Sequence, residues 1–388
     1  MMSLADKSIC TGCTACAESC PNHCIHMEQN RDGFMYPETV SPEKCTDCGI
    51  CKSVCPIMNK PRKSADTKGY AAYCKDEDIR SISSSGGIFS ALALDILKEG
   101  GVVFGASYDS RFKVMHICVD NEDDLAKLRG AKYAQSYLGS TYLSVKKLLN
   151  EGKKVIFSGS PCQVAGLKSF LRKDYENLIC IDFVCHGVPS PKVWDKYVEY
   201  RANTDNKGKL PKSINLRSKI TGWSRYHYST EFNYGDKLFS HINTGDIFMR
   251  LFIGDHIIRP ACTACQFKGY DRESDITIGD FWGIWDIDPS MDDNKGTSVI
   301  LTHGESGEKL LEKIEHRLVI KQVTLEQTSM QNPAMHHSAK MNSERDKYLE
   351  FALNGEFDIA EKQLDKAEKK KTSLMAKGIN RFRSFIGG

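Results

Sequence analysis

Two short apolar runs, each ending in a cysteine-bearing turn, give the clearest element pattern in the chain. Val155-Ile156-Phe157 leads into Ser158-Gly159-Ser160-Pro161-Cys162, and residues 178–184 (LICIDFV) lead into Cys185-His186-Gly187. Between them Val164, Leu167, Phe170 and Leu171 fall at helical spacing, which predicts a helix over 163–172. The result is a strand, helix, strand unit whose connection length favours parallel pairing. Ligands of an open parallel sheet collect outside the carboxyl ends of its strands. Cys162 and Cys185 are therefore expected on one rim of one crevice.

The same pattern reading extends along the chain. It predicts a strand over 70–74, a helix over 88–98 closed by Gly100-Gly101, and a hairpin of 102–108 with 114–119 around Asp109-Ser110-Arg111. Helices are expected over 141–150 and 194–201, antiparallel strands within 214–239, and one more strand over 275–279. The polar stretch KPRKSADTKG, 60–69, predicts a linker.

A chain of 388 residues with 40% hydrophobic content has material for two or three domains and a buried core. With 53 basic and 50 acidic residues, the net charge of +3 makes no global case for nucleic acid or membrane. No stretch reaches the roughly 20 apolar residues of a membrane span, and the first residues lack the apolar core of a signal peptide. A cytoplasmic protein is expected. Sixteen cysteines in a reducing compartment then point to metal ligation rather than disulfides.

Their spacing narrows the choice. Residues 10–21 read CTGCTACAESCP and residues 45–56 read CTDCGICKSVCP, so the run CxxCxxCxxxCP occurs twice. It resembles the bacterial two-cluster ferredoxins, in which each run supplies three thiolates to one 4Fe-4S cluster and the fourth to the other. The resemblance implies one cluster on Cys10, Cys13, Cys16 and Cys55, and a second on Cys45, Cys48, Cys51 and Cys20. Zinc is the alternative for CxxC pairs, and the doubled spacing argues against it. Cys24 is expected to be buried and unligated. One more CxxC, Cys262 and Cys265, lies in RPACTACQFK. Alone it suits zinc; joined by Cys162 and Cys185 it holds a third 4Fe-4S cluster equally well.

The segments SSSGGIFSALA, GAKYAQSYLG, SGSPCQVAGL, DFVCHGVPSPKVW, RPACTACQFK and SDITIGDFWGI, spread over about 70–350, resemble the family of the beta subunit of the deazaflavin-reducing (coenzyme F-420) hydrogenase. That resemblance implies FAD beside a 4Fe-4S cluster, with electrons moving between ferredoxin-like centres and an organic hydride carrier or substrate. It places Ser85, Gly86, Gly87, Lys132, Tyr133 and Ser136 along the FAD, with Gln163 facing it; turn chemistry and helix capping are the plain alternatives. His186 is either a proton donor to the substrate or a structural support of the cluster. Asp280 and Trp282 line the pocket or belong to the core.

The expected architecture is α+β and α/β. A ferredoxin domain (1–60) and a linker (61–69) precede a flavin and iron-sulfur domain with a mixed sheet (70–345) and a helical, basic tail (346–388). Met375, Ile379, Phe382 and Ile386 make the tail amphipathic, suited either to the inner membrane surface or to docking on its own domain. The function expected is an oxidoreductase fed by ferredoxin or another low-potential donor. The alternative is a beta-type subunit that relays electrons to a separate hydrogenase or dehydrogenase.

Overall fold

The computed structural model describes residues 4–59, 66–225 and 227–370. In the N-terminal part, β1 (Ile25–Gln29) and β2 (Met35–Thr39) pair antiparallel beside two one-turn helices, Ala15–Glu18 and Ile50–Ser53. The cysteine repeat is also a backbone repeat. Gly12 and Thr14 take positive φ of 68° and 67°, and Asp47 and Gly49, at the same places in the second run, take 54° and 71°. Each left-handed pair puts a bend between the first and second and between the second and third cysteines of its run.

Beyond this module an eight-stranded sheet carries the fold. Its strands are β3 (Thr67–Cys74), β4 (Val102–Tyr108), β5 (Val114–Val119), β6 (Val155–Ser158), β7 (Leu178–Phe183), β11 (Ile276–Asp280), β12 (Ser298–His303) and β13 (Leu318–Val323). Their spatial order is β13-β3-β12-β11-β7-β6-β4-β5, with β4, β6, β7 and β11 mutually parallel. Alternation along these strands decides what covers each face. Val102, Phe104, Val155, Phe157 and Cys180 turn to the helices Thr141–Asn150 and Pro161–Leu171. Val103, Ile156, Ile181, Ile276 and Ile300 turn to the helices Ile88–Lys98 and Gly304–Ile314.

A second, three-stranded sheet of β8 (Ser213–Ser218), β9 (Ser229–Asn233) and β10 (Leu238–Ile242) packs with the helix Pro191–Asn206 around Trp194, Tyr197, Phe232 and Phe248.

Two boundaries differ from the sequence reading. β3 starts at Thr67 rather than Tyr70, because Gly69 pairs with Leu301 on one side and Val323 on the other. Residues 346–364 belong to the body: Tyr348, Leu349, Ala352, Phe357, Ala360 and Leu364 are buried in the aromatic core. Arg250 pins that segment through Asp365, 2.8 Å away. Most of the linker (60–65) and the amphipathic end of the tail (371–388) lie outside the described residues. Among the described residues no helix is long and apolar enough to cross a membrane.

Candidate functional site

The thiols of the N-terminal module form two groups. Cys10, Cys13, Cys16 and Cys55 line one cavity, with Cys51 in its wall. Burial, then their neighbours' charge, raises Cys13 far above its ordinary range and Cys16 to about 12. The second group is more open. Cys48 is exposed, and Cys51 is influenced by Cys48 and Cys20. Cys24 is buried at 1% exposure, and its backbone N–H donates to Cys20 Sγ at 3.2 Å.

The inner thiols come from three segments. Cys162 lies in the first turn of the helix Pro161–Leu171, which a capping box of Ser160 and Gln163 starts directly after β6. Cys185 follows β7, whose pairing with β11 continues through Val184 N–H to Ile278 O at 2.9 Å. Cys262 and Cys265 close the turn Pro260–Ala264. All four are near enough to perturb one another. Burial, then mutual repulsion opposed by nearby cations, pushes Cys162 to about 12, Cys262 to about 11 and Cys185 higher. Such thiols ionise only against positive charge, which an iron-sulfur cluster supplies, so the donor set fits one. A single tetrahedral ion about 2.3 Å from each sulfur needs the sulfurs within about 3.8 Å of each other. A cube that takes one sulfur at each corner asks for a wider ring.

The two regions touch. Ala15 and Val54 share a buried core with Val164, Leu167 and Phe170 of the Pro161 helix. A Cβ on Gly166 would stand 3.0 Å from Cys13 Sγ. The helix that carries Cys162 in its first turn is thus packed directly on Cys13.

Beside the inner thiols, at the carboxyl ends of β4 and β6, stands a chain of polar groups. His116 Nε2 meets Ser158 O at 3.0 Å, and a carbonyl only accepts, so Nε2 carries the proton. His116 Nδ1 therefore accepts from Ser136 Oγ at 2.9 Å, which in turn accepts from Gln163 Nε2 at 2.9 Å. Ser136 thus has no proton left for another acceptor. Burial lowers His116 to about 4. Lys132 donates to Arg129 O at 2.7 Å and Gly130 O at 3.4 Å, its Nζ lies 5.7 Å from the centre of the Tyr108 ring, and burial lowers it to about 7. Tyr133 packs on Phe252, 5.0 Å between ring centres.

Ser85, Gly86 and Gly87 lie further along, against β3 and β12. Gly86 N–H donates to Ser298 Oγ at 2.9 Å, and a Cβ there would stand 2.5 Å from Ala72 O, so packing alone demands this glycine. Lys219, which sequence reasoning missed, donates to Ser85 O and Arg80 O at 2.7 Å, and burial lowers it to about 8. Asp280 accepts from Arg217 at 2.9 Å and from Trp223 at 3.2 Å, while Trp282 packs on Trp223. His186 Nε2 is 2.7 Å from Asp255 Oδ1. Asp255, a second residue missed, also accepts from Lys340 N–H at 2.9 Å.

Comparison with known proteins covers most of this architecture. The family described as coenzyme F420 hydrogenase/dehydrogenase, beta subunit, matches with its N-terminal part over residues 69–142 and its C-terminal part over 152–328. A 4Fe-4S dicluster domain matches residues 9–58. The chain is 28% identical over 171 residues to the coenzyme F420-dependent sulfite reductase of Methanocaldococcus jannaschii, covering 42% of this chain and 26% of that protein. It is 19% identical over 202 residues to one of the subunits of the F(420)H(2) dehydrogenase of Methanosarcina mazei, covering 48% of this chain and 57% of that protein. A ferredoxin 7Fe of Hydrogenibacillus schlegelii is 35% identical over 54 residues, 14% of this chain and 62% of the ferredoxin. A chain of the F420-reducing [NiFe] hydrogenase complex from Methanosarcina barkeri superposes with a TM-score of 0.46 at 16% identity, over 78% of this chain and 92% of that one. The chain spans 26% and 57% of the length of the first two relatives. With both parts of the family matched and the dicluster domain ahead of them, this chain belongs to the family of coenzyme F420 hydrogenase/dehydrogenase beta subunits and carries an N-terminal 4Fe-4S dicluster domain.

Proposed function

We propose that this chain is an iron-sulfur flavoprotein oxidoreductase that takes single electrons at its N-terminal module and reduces an organic hydride acceptor at the crevice beyond β6 and β7. The observation that carries this reading is the packing of Cys13 on the helix that bears Cys162 in its first turn. The thiol groups then stand in a row. Cys48 is exposed, Cys51 walls the cavity of the Cys10 group, and Cys13 lies against Gly166 of the helix that carries Cys162. Iron-sulfur clusters exchange one electron at a time, and FAD, when bound, pairs electrons for hydride chemistry.

In this reading Cys162, Cys185, Cys262 and Cys265 hold the third 4Fe-4S cluster. Lys132, a half-buried ammonium held by two carbonyls, meets the FAD pyrophosphate, and Ser85, Gly86, Gly87 and Tyr133 line the same groove. Ser136 and Gln163 act by fixing His116 and the Ser158 turn. His186, held by Asp255 through Nε2, presents Nδ1 for a proton. Ferredoxin or a similar low-potential protein is the donor this module suits, and a deazaflavin is the acceptor class to which the family's description points.

The test uses the chain purified without oxygen, with iron and flavin loaded, and a chemical reductant. Steady reduction of a deazaflavin by the isolated chain is the expected result. Fast reduction of one-electron dyes without any hydride product would replace this reading with a relay to a partner protein, which the M. mazei relative, itself one subunit of a dehydrogenase, favours.

A further inference from the structure

We infer that Arg259 is a fixed positive charge, shared by the Cys10 group and the inner four thiols, that raises the reduction potential of the cluster on Cys10, Cys13, Cys16 and Cys55. This rests on the reading of those four cysteines as ligands of one cluster. Arg259 belongs by its backbone to the inner site: its N–H donates to Val188 O at 2.9 Å, and its carbonyl accepts from Cys262 N–H at 3.0 Å. Its side chain ends in the other module. Nε donates to Cys10 O at 2.7 Å, Nη2 to Met35 O at 3.0 Å, and Nη1 to Gln135 Oε1 at 2.8 Å. Gln135 completes the link through Nε2 to Thr11 O at 3.1 Å. A Cβ at residue 12 would lie 2.9 Å from Nη1, so the glycine of the first CxxC is what admits the guanidinium.

Arg259 is 1% exposed, and every one of these partners is neutral. The ring of Tyr36, 4.1 Å from the guanidinium carbon, covers one side. Burying a charge without a counter-ion is costly. The groups placed to supply one are the cysteine ligands on either side, Cys10, whose carbonyl the guanidinium binds, and Cys262, whose N–H donates to the Arg259 carbonyl. Adding one electron to a cluster adds one negative charge, which a nearby fixed cation stabilises; the donor loses that electron and no proton moves. The effect is largest at the Cys10 group, whose loop the guanidinium touches.

The experiment is a potentiometric titration followed by electron paramagnetic resonance on the full, iron-loaded chain, after an iron count. Arg259→Met is expected to lower the midpoint of the Cys10 cluster by at least about 59 mV, a tenfold change in the equilibrium of a one-electron couple. Arg259→Lys should recover most of that shift, and the more exposed Cys45 cluster should move far less. An unchanged midpoint in Arg259→Met at full iron overturns the inference, as does an equal shift in both variants. If Arg259→Met loses iron, Gln135→Glu keeps the guanidinium and adds a negative charge beside it; a lowered midpoint supports the inference and an unchanged one overturns it. A count of about 8 iron in the unaltered chain refutes the inner cluster separately, and the Cys10 midpoint still tests Arg259.

Discussion

Gly166→Ala probes the contact on which the proposed electron path depends, and its two effects on stability have opposite signs. A glycine inside a helix costs roughly 1 kcal/mol relative to alanine, so the substitution alone is stabilising. The new methyl, however, would sit 2.8 Å from Cys13 Cβ, 3.0 Å from Cys13 Sγ and 2.9 Å from Tyr142 Oη. Carbon atoms pack at about 3.5 to 4.0 Å, so one neighbour must retreat by close to an ångström. Tyr142 is fully buried and its hydroxyl donates to Gln163 O at 2.7 Å, which leaves the Cys13 loop to move. Overpacking of this kind costs about 1 to 3 kcal/mol. The net expectation is a loss of about 0 to 2 kcal/mol in urea unfolding, with the N-terminal module shifted outward. Iron retention at that module and the rate at which its electrons reach the crevice should both fall. A variant that is more stable by the full helix gain of about 1 kcal/mol, with unchanged iron and rate, would refute the contact.

Three further outcomes follow from the crevice. His116 is lowered from 6.5 to about 4 by burial, so it is neutral when folded and gains a proton on unfolding below pH 6.5. Its contribution is intact above pH 6.5 and is lost as pH falls toward 4, reaching about 2 kcal/mol by pH 5. Urea midpoints measured at pH 7 and pH 5 should therefore differ less in His116→Gln than in the unaltered chain. Lys132→Met should weaken flavin retention about ten- to a hundredfold, read by equilibrium dialysis, since one charge-assisted hydrogen bond contributes about 1.5 to 3 kcal/mol. His186→Gln should slow hydride delivery about a hundredfold or more while leaving reduction of one-electron dyes unchanged, which separates proton supply from electron flow.

The parts of the fold visible in the sequence are those written in local periodicity. Residues 155–184 announce a strand, a helix and a strand, and the parallel pairing of Ser158 with Ile181 follows from the connection length. The doubled cysteine run is equally local, because three ligands share one loop. What the chain hides is what only the tertiary fold brings together. Arg259 meets Cys10 across 249 residues, and His186 meets Asp255 across 69. Neither pair leaves a spacing to detect. Arg259 stands beside the CxxC of RPACTAC, and that adjacency was the only available signal. Residues 346–364 read as part of the helical, basic tail; their apolar positions close the aromatic core, which only the three-dimensional arrangement reveals.

The central claim is that four thiols from three segments hold a cluster in line with the two of the dicluster domain. Iron and acid-labile sulfide counted on anaerobic protein test it most directly, in the unaltered chain and in Cys185→Ser. About 12 iron per chain falling to about 8, with the two signals of the N-terminal module intact, is the expected result. About 8 iron in both proteins, or zinc at one per chain in the unaltered one, would contradict it.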